Sequence, residues 1–276
     1  MFADDVKLFR IIRTIDDCRL LQRDLDKLYE WSLKWQLLFN PLKCQLLRLG
    51  NPPPYRYTLR EVNSGEDISI NEEKTVKDLG VFHQQDLKPA TQVKAIVAKA
   101  TRVCFTIKRT IEHLTMDSGK ALFCALVRPL LEYAVSVWCP YHQKDIQSLE
   151  KVQRRYTKWI RPLRNLTYSE RLKELNLFSL KHRRRRGDLI NMFLLKVNED
   201  HLITNKLARR DNHHTRGHSS KIEAERCQLS QRSNFLSNRA RKDWNSLPQR
   251  IVSAPNLESF KRQIDHLWAN DPTRFK

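Results

Sequence analysis

Two aspartates stand side by side near the start of the chain, in Phe2-Ala3-Asp4-Asp5, ahead of a Val6-Lys7-Leu8-Phe9 run with strand character. Adjacent carboxylates supply the hard oxygen ligands that Mg²⁺ demands. In polymerases two such ions sit ~3.5–4 Å apart, one activating the attacking 3′ hydroxyl and the other stabilising the leaving pyrophosphate. On these four residues alone, an acidic turn or helix start is the commoner origin of such a pair. His213, His214, His218 and Cys227 lack the spacing of a zinc knuckle and fit a polar, histidine-rich linker better. The six cysteines are scattered with no CxxC pair, which argues for reduced intracellular thiols over a disulfide framework. With six glycines in the chain, no Gly-rich phosphate loop is present.

The other chemistry that the side chains could do is electrostatic. Lys and Arg number 51 against 31 Asp and Glu, a formal charge of +20 that points to a polyanionic partner. No apolar run approaches the ~18–20 residues that span a bilayer, and the Met1 end is not a signal sequence, so a membrane partner is not expected. The charge is uneven: residues 1–86 carry 13 basic and 14 acidic side chains, 87–150 carry 9 and 5, 151–188 carry 13 and 3, and 189–276 carry 16 and 9. The densest stretch opens with QKDIQSLEKVQRRYTKWI. There Ile146, Leu149, Val152, Tyr156, Trp159, Ile160 and Leu163 recur at helical spacing, and Lys151, Arg154, Arg155, Lys158 and Arg161 fall on the opposite face. Such a helix can dock on a core and hold a basic stripe towards phosphates, each contact releasing counterions; a plain solvated face is the alternative. A second cluster, Lys181-His182-Arg183-Arg184-Arg185-Arg186, reads as a nucleic-acid or nuclear-import patch. Four consecutive arginines nevertheless sweep most of a helix circumference, so at least one must snorkel past the core or pair with a carboxylate such as Asp188.

These side chains need elements to position them. Asp16 or Asp17 can cap a helix with Leu21, Leu25, Leu28, Trp35 and Leu38 on its face, ending before Asn40-Pro41. CQLLRLG, YRYTL, EDISI and TVKDLGVF, punctuated by Pro52-Pro53-Pro54 and Asn63-Ser64-Gly65, suggest a small antiparallel sheet. From Lys88 the pattern is helical. One stripe holds Val93, Ile96, Val97, Ala100, Val103, Cys104 and Ile107, and another Leu122, Leu126, Leu130 and Tyr133. Residues 199–230 lose the periodicity and read as a polar linker. A helix stopped by Pro248 and a last one opened by Pro255, with Leu257, Phe260, Ile264, Leu267 and Trp268 inward, complete the chain. Trp138, Trp159, Trp244 and Trp268 are expected in cores, not as base-stacking platforms.

Taken in order, FADDVKLF, WQLLFNPLKCQLLRLG, TVKDLGVF, LVRPLLEYAVSVWCPYHQKDIQSLEKVQRRYTKWI and DWNSLPQRIVSAPNLESFKRQIDHLW resemble successive segments of jockey-type non-LTR retrotransposon reverse transcriptases. The likeness extends over nearly the whole chain. It implies an α+β, mostly α fold: a small antiparallel palm remnant over 1–86, a helical thumb-like nucleic-acid-binding region over 87–198, a polar linker over 199–230 and a helical basic C-terminal segment over 231–276. By the same resemblance Asp4 and Asp5 match the metal-binding pair, Lys43 the palm lysine that acts as general acid, and Leu79-Gly80 the primer-grip turn. From the residues alone, Lys43 reads as a surface lysine and Leu79-Gly80 as an ordinary hairpin turn. The family holds Mg²⁺ with a further aspartate on an earlier strand, and neither that strand nor the fingers are in this sequence. A site misplaced by ~1 Å can lose ~100-fold in rate, so this reading expects a fragment of an RNA-directed DNA polymerase, inactive alone but able to bind an RNA template, DNA primer or hybrid duplex. It expects no good small-molecule ligand, and a nuclear location from the element's life cycle. The alternatives are a non-catalytic basic nucleic-acid-binding protein, with Asp4 and Asp5 idle, or a relic without selected function.

Overall fold

A computed structural model describes residues 5–62, 64–198, 218–269 and 275, and the chain divides into two compact units, Met1–Lys88 and Pro89–Lys276. Mostly helical overall with a minor strand content, it has the expected α+β class. No described helix is long and apolar enough to cross a membrane, and all six cysteines are free thiols.

The first unit is built on helix α1 (Ile15–Lys34). Its cap is Thr14, one turn earlier than the aspartates suggested. The Thr14 hydroxyl accepts from the Asp17 N–H, while the Asp17 carboxylate accepts from the N–H groups of Thr14 (2.8 Å) and Arg13 (2.9 Å). Asp17 is therefore the reciprocal partner in a capping box. The helix stops at Lys34 because Gln36 turns left-handed (φ 56°), which leaves Trp35 and Leu38 exposed outside the face expected to bury them. Six short strands follow among the described residues: β1 (Gln45–Leu46), β2 (Thr58–Arg60), β3 (Asp67–Ser69), β4 (Asn71–Glu72), β5 (Thr75–Asp78) and β6 (Val81–Gln84). They form three separate two-stranded ladders, not one antiparallel sheet, and the β1–β4 ladder is parallel. Pieces this short, interrupted by three prolines without N–H donors, cannot propagate a common ladder. The Gln22 side chain clamps α1 to β2, donating to the Thr58 carbonyl (2.9 Å) and accepting from its N–H (3.0 Å). Residues 6–9, expected as a strand, have no regular structure.

The second unit comprises α2 (Ala90–Thr110), α3 (Met116–Leu122), α4 (Arg128–Glu132), α5 (Val135–Trp138), α6 (Gln143–Trp159), α7 (Tyr168–Glu174), α8 (Leu180–Val197), α9 (Ser230–Ser233), α10 (Leu236–Asn245), α11 (Gln249–Val252) and α12 (Leu257–Leu267). A π-helical turn over Phe123–Val127 joins α3 to α4, with the Arg128 N–H bonded five residues back to Phe123. It widens the helix just ahead of Pro129, whose ring would clash in a regular α-helix. The inward residues are consequently Phe123, Val127 and Leu131, one position on from the expected stripe, and Leu126 and Tyr133 face out. These side chains, with Val93, Ile96, Ala100, Cys104 and Ile107 of α2 and Leu149, Val152 and Tyr156 of α6, are buried. Gly119 permits the closest approach: a Cβ there would lie 2.8 Å from Cδ1 of the buried Ile160, and the Tyr156 hydroxyl donates to the Gly119 carbonyl (2.9 Å).

A second core gathers Leu189, Met192 and Phe193 of α8 with Ile222, Ala240, Trp244, Leu247, Ile251, Val252, Phe260 and Ile264. The C-terminal helices thus share a core with α8 and are not a separate segment. The expected linker also differs from 218 onward. Trp244 donates its indole N–H to the Ser220 carbonyl (2.9 Å), and the Asn245 amide accepts from and donates to the backbone of Ile222 at 2.9 Å. Buried His218 bonds the Trp244 carbonyl. Residues 199–217, the rest of that linker with His213 and His214, lie outside the described residues.

Two outcomes follow. The Asp17 carboxylate is held below its ordinary range, first by the Arg13 N–H and then by Thr14. Its contribution to α1 is therefore present above the ordinary carboxylate pKa and is lost as pH falls through the depressed one. Asp17→Ala should remove that acid-sensitive part of the helical circular-dichroism signal at neutral pH. Trp244→Ala should cost about 3–5 kcal/mol in denaturant unfolding and release the Ile222 amide to hydrogen exchange, whereas an undocked 218–222 segment would leave that amide unprotected already in the unaltered chain.

Candidate nucleic-acid interface

In the first unit, Asp5 is exposed and Asp4 lies outside the described residues. Lys43 closes a 3₁₀ turn (Pro41–Lys43) and points to solvent. No described hydrogen bond or ion pair joins it to Asp5. Lys7, two residues past Asp5, does reach Asp78 in an ion pair. That contact brings the segment after the acidic pair beside the β5–β6 hairpin, whose two-residue turn is Leu79-Gly80. Both turn residues are left-handed, at φ 43° and 82°. A hairpin this tight matches the right-handed strand twist only with positive φ at both central positions. Gly80 adopts it freely. Leu79 does not, and it presents an exposed apolar side chain where Asn would be favoured.

In the second unit, α6 separates its charges by face. Its two carboxylates, Asp145 and Glu150, are buried. Glu150 accepts from the Tyr168 hydroxyl and, at 3.2 Å, from the N–H of Leu180 at the start of α8, where helix-dipole electrostatics favour an anion. Burial first, and then this carboxylate, push the Tyr168 phenol far above its ordinary pKa, so it remains a donor. Arg171 of α7 is buried too. It donates to Thr157 Oγ1 (3.1 Å) and to the carbonyls of Leu166 (2.7 Å) and Arg154 (3.3 Å), so its charge completes the end of α6.

The cations along α6 and in the turn after it face outward. Lys151, Arg154, Arg155, Lys158 and Arg161 are all exposed, and none lies within ion-pair distance of a carboxylate among the described residues. Arg154 stacks over the Tyr168 ring (4.8 Å), which orders its guanidinium without neutralising it. The stripe runs into a cleft of about 590 Å³ lined by Lys108, Ile111, Glu112, His113, Leu114, Lys158, Trp159, Arg161 and Arg164.

The arginine run of α8 is placed differently from the expectation of a nucleic-acid patch. Arg183 forks onto Glu132, Arg185 onto Asp243 at 2.8 and 2.9 Å, and Arg186 onto Asp265 at 2.6 and 2.8 Å. Arg184 is buried, and burial lowers its pKa. Only Lys181 of the run is exposed. Asp188, named from sequence as a partner for one of them, instead takes a bidentate pair from Arg239 (2.7 and 2.8 Å), which also donates to the Ser136 and Asn234 carbonyls. The physical reason is the sweep of the helix. Arg183, Arg185 and Arg186 point to α4, α10 and α12 in turn, and each of these neighbours offers a carboxylate. The signal that sequence reasoning missed was Glu132, Asp243 and Asp265, carboxylates far from the run in sequence on three other helices.

Of the four tryptophans expected in cores, Trp138 and Trp244 are buried. Trp159 and Trp268 are only partly so, with Lys108 over the Trp159 ring (4.9 Å) and Arg185 over Trp268 (5.0 Å). Searched against known proteins, the chain matches no family model, no curated protein and no solved structure.

Removing Arg239 as Arg239→Met would leave the Asp188 carboxylate buried without its guanidinium, an expected loss of about 3–5 kcal/mol read by chemical denaturation. Relieving the left-handed leucine with Leu79→Asn should instead raise the melting temperature of the first unit, and a lower one would contradict the turn geometry.

Proposed function

We propose that this chain grips nucleic acid through the outward face of α6, as the binding part of an RNA-directed DNA polymerase of the non-LTR retrotransposon type that its motifs resemble. The observation that carries the reading is the contrast between two basic runs. The arginines of α8 are largely engaged in ion pairs within the unit, whereas Lys151, Arg154, Arg155 and Lys158 of α6, and Arg161 just beyond it, are unpaired by carboxylates among the described residues and the acids of α6 are turned inward. A stripe of unneutralised cations on a rigid helix matches a phosphate backbone, carries no base information, and so suits an RNA, DNA or hybrid duplex of any sequence.

In the same reading Asp4 and Asp5 are the residues that would hold Mg²⁺. Their carboxylate oxygens are the donor type that this ion takes, and Asp5 is open to solvent. The ion, when bound, would supply charge stabilisation for phosphoryl transfer, and Lys43 and the Leu79-Gly80 turn are the accompanying palm residues. The activity proposed for the described residues is nucleic-acid binding. A nuclear location accompanies the retrotransposon reading. The second reading, a non-catalytic nucleic-acid-binding protein, shares the α6 interface and differs only in whether Asp4 and Asp5 belong to a working site.

Duplex binding should weaken steeply with salt, and each of Lys151→Gln, Arg155→Gln and Lys158→Gln should lower affinity for all sequences alike and reduce the log–log salt slope by about 1. Binding that is absent, or insensitive to salt, would remove the reading. With Mg²⁺, no primer extension is expected. Extension abolished by Asp5→Asn would show a working polymerase instead.

A further inference from the structure

The cleft at the end of α6 differs in kind from the stripe that leads to it. The stripe is the convex face of a helix, whereas the cleft is concave and of a size that holds one or two nucleotides but no duplex. Four cations border it: Lys108 from α2, Lys158 from α6, and Arg161 and Arg164 from the turn beyond. Glu112 is the one carboxylate among its lining residues. That glutamate is almost fully exposed, and its described ion pair is with His113 at 3.8 Å. Lys108, Lys158, Arg161 and Arg164 have no carboxylate within ion-pair distance among the described residues. Aromatic surface is also present. Trp159 lines the cleft, and Phe105, whose ring packs on Trp159 at 5.4 Å between centroids, is half exposed. Cations that track phosphates beside aromatic rings able to stack on bases are the two elements by which unpaired strands are bound.

Lys158 and Arg161 belong to both features, so a strand lying on the stripe can continue into the cleft. We infer that this cleft takes an unpaired nucleotide or short single-stranded overhang at the end of a duplex held on α6, its phosphates on Lys108 and Arg164 and a base against the Phe105–Trp159 pair. This rests on the proposed α6 interface and adds to it a preference for junctions over continuous duplex.

The full chain can be tested with two probes, a blunt duplex and the same duplex with a short single-stranded overhang. The overhang should tighten binding about tenfold. Phe105→Ser and the double variant Lys108→Gln, Arg164→Gln alter exposed side chains outside the stripe. They should remove that gain and leave blunt-duplex affinity unchanged. Lys151→Gln should weaken both probes equally. Equal affinity for the two probes, or a gain that survives both cleft variants, would overturn the inference while leaving the α6 interface standing. Failure to bind either probe would overturn the interface and the inference together.

Discussion

Four arginines in succession on one helix cannot all reach water when that helix is central, and the second unit is organised around this constraint. Each guanidinium of α8 leaves the axis in a different direction, and on three sides a carboxylate from another helix receives it. Glu132, Asp243 and Asp265 are scattered in sequence yet converge on one element, which ties α4, α10 and α12 to α8. Fork-to-fork geometry makes these pairs directional, so they fix the rotation of α8 about its own axis as apolar packing alone would not. With that rotation set, Leu189, Met192 and Phe193 face Trp244 and Phe260, and the C-terminal helices close the second core with α8.

The same constraint sorts the positive charge into two populations. One is internal, neutralised and structural. The other, on α6 and the turn after it, is external because both acids of that helix are buried, Glu150 against the Tyr168 hydroxyl and the start of α8. A count of basic residues would rank the α8 run as the stronger nucleic-acid signal. The geometry ranks α6 first, since a charge already paired at 2.6–2.9 Å has little left to offer a phosphate.

The helices were legible in sequence wherever a 3.6-residue period ran uninterrupted. The α6 face from Leu149 through Leu163, the α2 stripe and the break at Pro248 all appear where the pattern placed them. The misplaced details share a cause, which is that they depend on partners distant in the chain or on a local backbone departure. The π-helical turn before Pro129 shifted the inward residues to Phe123, Val127 and Leu131. Thr14 outcompeted the aspartates as a cap because its extended backbone lets its hydroxyl and Asp17 serve each other. The ladders around β1–β6 are too short for periodicity to specify pairing, so neither their separation nor the parallel β1–β4 register could be read. The outward stripe was legible because amphipathic spacing reports it directly. The pairing of the α8 arginines was foreseeable only as a need, since nothing in the local sequence names Asp243 or Asp265.

Lysine acetylation footprinting addresses the central claim most directly, because it reads individual side chains of the unaltered chain in the presence and absence of duplex. Lys151 and Lys158 should lose reactivity when nucleic acid is added, while the exposed Lys242 on α10 should keep its own. Undiminished reactivity at Lys151 and Lys158 under conditions where duplex is bound would contradict the account.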